Sequence, residues 1–130
     1  MDQPERSVPE PVGAIPPDGL LLILSNLPDA DVAGTLARVL VEERLAACVS
    51  VLGACRSVYR WQDAVEEADE VTVLVKTTRR RHAAGQQRLK ALHPYEVPEI
   101  VTIVPDAVWP AYAQWAIAET REAFGRRGRS

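Results

Sequence analysis

The groups able to do chemistry sit in a few places: Cys48 and Cys55, His93, Lys76, Glu99, and the acidic run Glu66, Glu67, Asp69 and Glu70. A thiolate and an imidazole form a nucleophile pair when a third group orients the base. No such third residue stands out for Cys48 or Cys55 with His93. The two cysteines lie seven positions apart in one extended segment, so alternation sends them to opposite faces. That spacing argues against a disulfide, and two thiols are too few for a secreted framework. Both read as small, half-buried hydrophobes. The acidic run could hold a hard divalent cation through oxygen ligands. It lacks the Asp-x-Asp-x-Asp-Gly spacing of a calcium loop and reads more simply as a solvated acidic turn. Lys76 and Glu99 either pair with one another or line a cleft that takes a small ion. The ion pair is the simpler reading, since a buried charge needs a partner. There is no Gly-x-Ser-x-Gly elbow, glycine-rich phosphate loop, Cys-x-x-Cys or His-Glu-x-x-His. The expectation is a protein that binds rather than catalyses.

The chain that positions these groups has 130 residues, 47% of them hydrophobic and 25% charged, with a formal net charge of -3. That length supports one core and one domain. A nucleic-acid binder needs basic surface to displace counterions from phosphates, and this balance is acidic. The one basic run, Arg79-Arg80-Arg81-His82, has no interleaved aromatics and reads as a solvated helix start. No stretch reaches the roughly 20 apolar residues of a membrane span. The N-terminus lacks the basic start and apolar core of a secretory signal, so the expected location is the cytoplasm.

Residues 1–18 hold Pro4, Pro9, Pro11, Pro16 and Pro17 and read as a disordered tail. Residues 126–130 read as a second. Between them, 19–125 form the expected domain. Leu20–Leu24 is a short apolar run, as in a strand covered on both faces. Pro28-Asp29 opens a helix, with Val32, Leu36, Val39 and Leu40 at helical spacing and Asp29 or Asp31 as its cap. Residues 47–62 are rich in valine and aromatics, and Gly53 marks a bulge or bend. Residues 63–70 include the connection. Val71, Val73 and Val75 then alternate with Thr72, Leu74 and Lys76, as in a strand. The two strands read as a β-hairpin longer than its own sheet, which must find another partner or leave edges exposed. A second helix starts at Thr77 or Thr78 and ends before Pro94. A fourth strand over Glu99–Val104 and a last helix through Trp115 follow. The order β-α-β-β-α-β plus a C-terminal helix predicts an α+β, ferredoxin-like fold with an antiparallel sheet.

Five blocks in this frame, EERLAACVSV at 42–51, SVYRWQ at 57–62, VLVKTT at 73–78, HPYEVPEI at 93–100 and YAQWAIAETR at 112–121, resemble the CutA family of divalent-cation tolerance proteins. The resemblance implies a ferredoxin-like subunit in a tight homotrimer, with the long hairpin pairing to neighbours. It places Tyr59, Trp61, Lys76, Tyr95 and Glu99 as candidates for a cleft between subunits. It also implies binding of Cu2+ or another divalent cation, in metal homeostasis or the response to metal. The family's copper motif has a cysteine at the end of the first strand and a histidine pair before Pro-Tyr. Here Ser25 and Leu92 occupy two of those positions, and only His93 matches. One imidazole and a neutral hydroxyl make a poor copper site. His93 is thus the one candidate ligand, and its alternative role is to close the helix that ends beside it. A likeness to the trimeric PII signalling proteins supports an alternative function: a scaffold for a small molecule or an unknown protein partner.

Overall fold

The computed structural model describes Val12 and residues 15–122. The chain runs β1 (Leu20–Leu27), α1 (Ala30–Glu42), β2 (Cys48–Trp61), β3 (Ala64–Thr78), α2 (Arg79–Leu92), β4 (Val101–Ile103) and α3 (Pro110–Glu119). The sheet order is β2-β3-β1-β4 with every pair antiparallel. This is the ferredoxin-like arrangement, with an added C-terminal helix.

Asp29 is extended and its Oδ1 accepts from the Val32 N–H at 2.9 Å, which caps α1. Ala33, Leu36 and Leu40 recur at helical spacing and bury one stripe of α1. They meet the odd-numbered side of the sheet: Ile23 and Leu27 from β1, and Val71, Val73 and Val75 from β3. Leu89 of α2 completes this core. Glu43 joins the end of α1 to α2 through two 2.9 Å hydrogen bonds from Arg88. Among the described residues, the opposite, even-numbered side is covered only at one end, where Leu20 and Ala47 pack with Ala116 of α3 and with Val108. The rest of that side is open, and Val101, Ile103, Trp109, Tyr112 and Trp115 are all exposed.

The hairpin connection is shorter than expected. Trp61 pairs with Ala64, and only Gln62 and Asp63 turn, both with positive φ (49° and 67°). That is the two-residue loop that matches the right-handed twist of paired strands. The residues expected to form an acidic connection are therefore strand. Alternation splits them, with Glu66 and Glu70 on one face and Glu67 and Asp69 on the other. The last two are paired to Arg56 at 3.6 and 3.2 Å.

β1 covers β3 only from Val71 to Thr78. Residues 64–70 pair with β2 alone, so the outer hairpin is a two-stranded ribbon. Such a ribbon is marginal in water by itself.

The inner ends of the chain also differ from expectation. Pro16 and Pro17 belong to an ordered turn: the Gly19 N–H donates to the Pro16 carbonyl, and the Arg80 N–H to that of Pro17. Asp18 pairs with Arg80 at 3.3 Å. Residues 15–18, expected in the proline-rich tail, thus form part of the ordered chain. Most of that tail, and the 126–130 tail, lie outside the described residues. The fourth strand is three residues long instead of six, because Pro98 and Pro105 flank it and only Val101–Ile103 find partners on β1.

One irregularity governs the hairpin. The β2–β3 register shifts between Val51, opposite Val73, and Gly53, opposite Thr72. Leu52 is the extra residue of a bulge, and Gly53 carries φ +100°. Before the bulge, Cys48 and Ser50 face the open side. Beyond it the parity reverses, and Cys55, Tyr59 and Trp61 face that side. The cysteines therefore share a face, contrary to their spacing. They stand opposite Lys76 and Glu70, six positions apart on β3 or roughly 20 Å. Both are free thiols. Replacing Gly53 by alanine forces a side chain into a left-handed conformation and should cost about 1–2 kcal/mol. Urea denaturation checks this. An unchanged midpoint would refute the strain assigned to the bulge.

Candidate functional site

The helix-capping residue at the end of α2 organises the site. The His93 N–H continues the helix to Leu89 O at 3.0 Å, and its side chain then turns back to β1. Nδ1 accepts from the Tyr95 N–H at 3.2 Å, so the ring proton sits on Nε2 and is donated to the Asn26 carbonyl at 2.9 Å. Both ring nitrogens are engaged and the ring is neutral. Burial holds its pKa below the usual value, although the Asn26 carbonyl and the Glu70 charge oppose that shift.

From His93 the network spreads in two directions. The Ser25 hydroxyl, with 0% exposure, donates to Glu99 O at 2.6 Å. Asn26 Nδ2 donates to Glu99 Oε1 at 3.1 Å, and Asn26 Oδ1 accepts from the Thr72 hydroxyl at 2.6 Å. In the other direction the His93 and Tyr95 rings meet at 4.9 Å. The Tyr95 hydroxyl donates to Glu70 Oε2 at 2.7 Å. Burial, then that bond to a carboxylate, push the Tyr95 pKa well above its usual value. Tyr95 stays a donor at any ordinary pH.

The loop 94–97 and the ribbon enclose a cleft of about 380 Å3 lined by Tyr59, Trp61, Glu70, Pro94, Tyr95, Glu96 and Val97. The structure thus brings together Tyr59, Trp61 and Tyr95 of the five residues expected at a cleft. Lys76 and Glu99 are elsewhere, and they do not pair. Lys76 Nζ donates to the Ser50 hydroxyl at 2.7 Å and lies 3.7 Å from Cys48 Sγ. Lys76 stands opposite Leu22, whereas Glu99 is bonded to Asn26, four positions further along β1 or roughly 13 Å. Glu70 was visible only as part of an acidic run. The signal that reveals it is the alternation of β3 carried one step back, Glu70-Thr72-Leu74-Lys76 against Val71-Val73-Val75. Glu96 and Asn26 have no comparable pattern.

These residues do not fit a copper centre. Ser25 is closed off by its bond to Glu99, Leu92 has no donor atom, and His93 has no free lone pair. Among the described residues no group of three or more histidine, cysteine, aspartate or glutamate side chains is gathered for a metal.

Residues 21–119 match the family model of the CutA1 divalent ion tolerance protein. The chain belongs to the CutA1 family. The divalent-cation tolerance protein CutA of Thermus thermophilus is 50% identical over 82 residues, which is 63% of this chain and 80% of that protein. The crystal structure of CutA from Xylella fastidiosa superposes with a TM-score of 0.77 at 41% identity, covering 78% of this chain and 98% of that one. CutA of Archaeoglobus fulgidus, described as a periplasmic divalent cation tolerance protein, gives a TM-score of 0.76 at 27% identity, covering 78% and 99%. All five sequence blocks fall within or at the edge of the span that the CutA1 model matches.

The lowered pKa of His93, and that of His82, which burial also depresses beside Thr102, have a consequence for stability. As pH falls below about 6.5, the unfolded chain takes up protons before the folded one. Stability is full above that value and is lost as pH drops through the folded-state values. The urea midpoint should fall between about pH 7.5 and about pH 5.5, and His93→Gln should shrink the difference. A midpoint that rises toward acid would contradict the neutral, doubly bonded ring.

Proposed function

We propose that this CutA1-family chain acts as a homotrimer in the tolerance of divalent cations, as a binding module rather than an enzyme. The observation that carries the reading is the unpartnered apolar surface. Val101 and Ile103 sit on the open side of the sheet opposite Leu24 and Leu22, and Trp109, at 76% exposure, lies nearby in sequence before α3. Val58 and Val65, on the ribbon, are each more than 60% exposed. Apolar surface of this extent marks an interaction site. An outer ribbon with unpaired edges adds backbone groups that a neighbouring copy would satisfy.

Divalent cations do not meet this protein at a nitrogen–sulfur centre within one subunit, because Ser25, Leu92 and His93 supply none. Copper uptake in equilibrium dialysis should therefore be the same for the wild type and His93→Ala. Loss of uptake in the variant would restore His93 as a ligand. The two free thiols accord with a reducing compartment, and we place the protein in the cytoplasm. A second reading, a PII-like scaffold for a small molecule or a protein partner, is favoured by the aromatic and acidic cleft under the ribbon.

Assembly is tested by light scattering at micromolar protein. Three chain masses are expected, falling to one in Val101→Asp. Val101 is already half exposed in the single subunit, so the charge costs little there and acts only through an interface. A folded wild-type chain of single mass would overturn the proposal.

A further inference from the structure

Among the described residues, Glu70 is a buried carboxylate without a counter-ion. It is only 8% exposed, yet the side-chain hydrogen bond it accepts there comes from the neutral donor Tyr95 OH. None of the ion pairs among the described residues includes it. The nearby His93 ring is neutral, because its Nδ1 already accepts from the Tyr95 N–H. Among the described residues, no lysine or arginine lines the cleft into which Glu70 opens. Removing a charge from water is costly unless an opposite charge meets it. The cleft supplies a place for one. At about 380 Å3 it has the size of a small-molecule site. Its walls carry Tyr59, Trp61 and Tyr95, whose rings attract cations through their faces.

We propose that this cleft binds a small organic cation, an alkylammonium or guanidinium group, with Glu70 as its counter-ion, Glu96 at its rim and the three rings as its walls. A hard metal ion is the weaker match. It demands six or more oxygens, whereas the lining offers two carboxylates among rings, Pro94 and Val97. An organic cation sheds its hydration more readily and gains from the rings. All the residues involved belong to one subunit, but Tyr59, Trp61 and Glu70 ride on the ribbon that the proposed assembly pairs with a neighbouring copy, so the inference requires the cleft to stay open in the assembled protein.

The test is calorimetric titration of the full chain with n-butylammonium, agmatine and tetramethylammonium, with sodium and magnesium chlorides as controls. Saturable binding of the organic cations and none of the controls is expected. Glu70→Gln keeps the shape and an acceptor for Tyr95 OH while removing the charge. It should weaken binding by roughly tenfold or more. Trp61→Leu should weaken it as well, with circular dichroism confirming that both variants are folded. The proposal is overturned if no organic cation binds saturably, if Glu70→Gln binds as well as the wild type, or if magnesium displaces the amines. It is also overturned if folded Glu70→Gln loses its assembled mass, because the counter-ion would then be a side chain of a neighbouring copy. A single-chain mass combined with intact amine binding would instead count against the trimer and leave this site standing.

Discussion

The β1–β3 ladder runs without a break from Leu20 opposite Thr78 to Leu27 opposite Val71, and the rest of the chain is placed relative to it. Its odd-numbered residues, Ile23, Leu27, Val71, Val73 and Val75, are the sheet's share of the main core. Alternation then commits the even-numbered residues to the other face. A slip of one position would exchange the two sets and expose the core, so burial pins the register. Ser25 and Thr77 are the polar exceptions on the core side, and each is satisfied by a backbone carbonyl, Glu99 O and Leu45 O respectively. Those two bonds tie the 93–100 segment and the end of α1 to the central strands.

His93 sits where the helix layer returns to that ladder. Its neutral ring bridges the Asn26 carbonyl and the Tyr95 N–H, so it holds the loop that forms one wall of the cleft. The loop delivers the Tyr95 hydroxyl to Glu70 on the other wall. A ligand role and this bridging role compete for the same lone pairs. In this chain the bridging role has them. With Ser25 closed off and Leu92 apolar, no nitrogen–sulfur donor set remains at this end of the sheet.

The apolar residues on the open face and ribbon and the buried, uncompensated carboxylate are two unfinished features of one subunit. The first is a matter of surface area and backbone pairing, which the proposed assembly would satisfy with a second copy of the chain. The second is a matter of charge, which a second copy satisfies only by supplying a cation. Family membership bears on the tolerance of divalent cations, whereas the cleft under the ribbon is a separate feature of the subunit.

Much of the architecture was legible in the residues themselves. Periodicity and proline punctuation placed every strand and helix in order, because a half-buried sheet and an amphipathic helix leave different spacings in the chain. Asp29 as a cap, Gly53 as a bulge and His93 as the close of α2 follow from local chemistry. The faces of the hairpin do not. One extra residue at Leu52 reverses the parity of all that follows, and the residue at which pairing shifts depends on the register with β3. That shift put Cys55 on the side of Cys48, and it put Tyr59 and Trp61 on the side of Glu70. The acidic run looked like a turn because composition cannot tell a solvated loop from a strand whose charges alternate. Only the two-residue turn at Gln62–Asp63 settles that. The partnering of Lys76 with Ser50, and of Glu99 with Asn26, likewise depends on distances along β1 that appear only once the strands are paired.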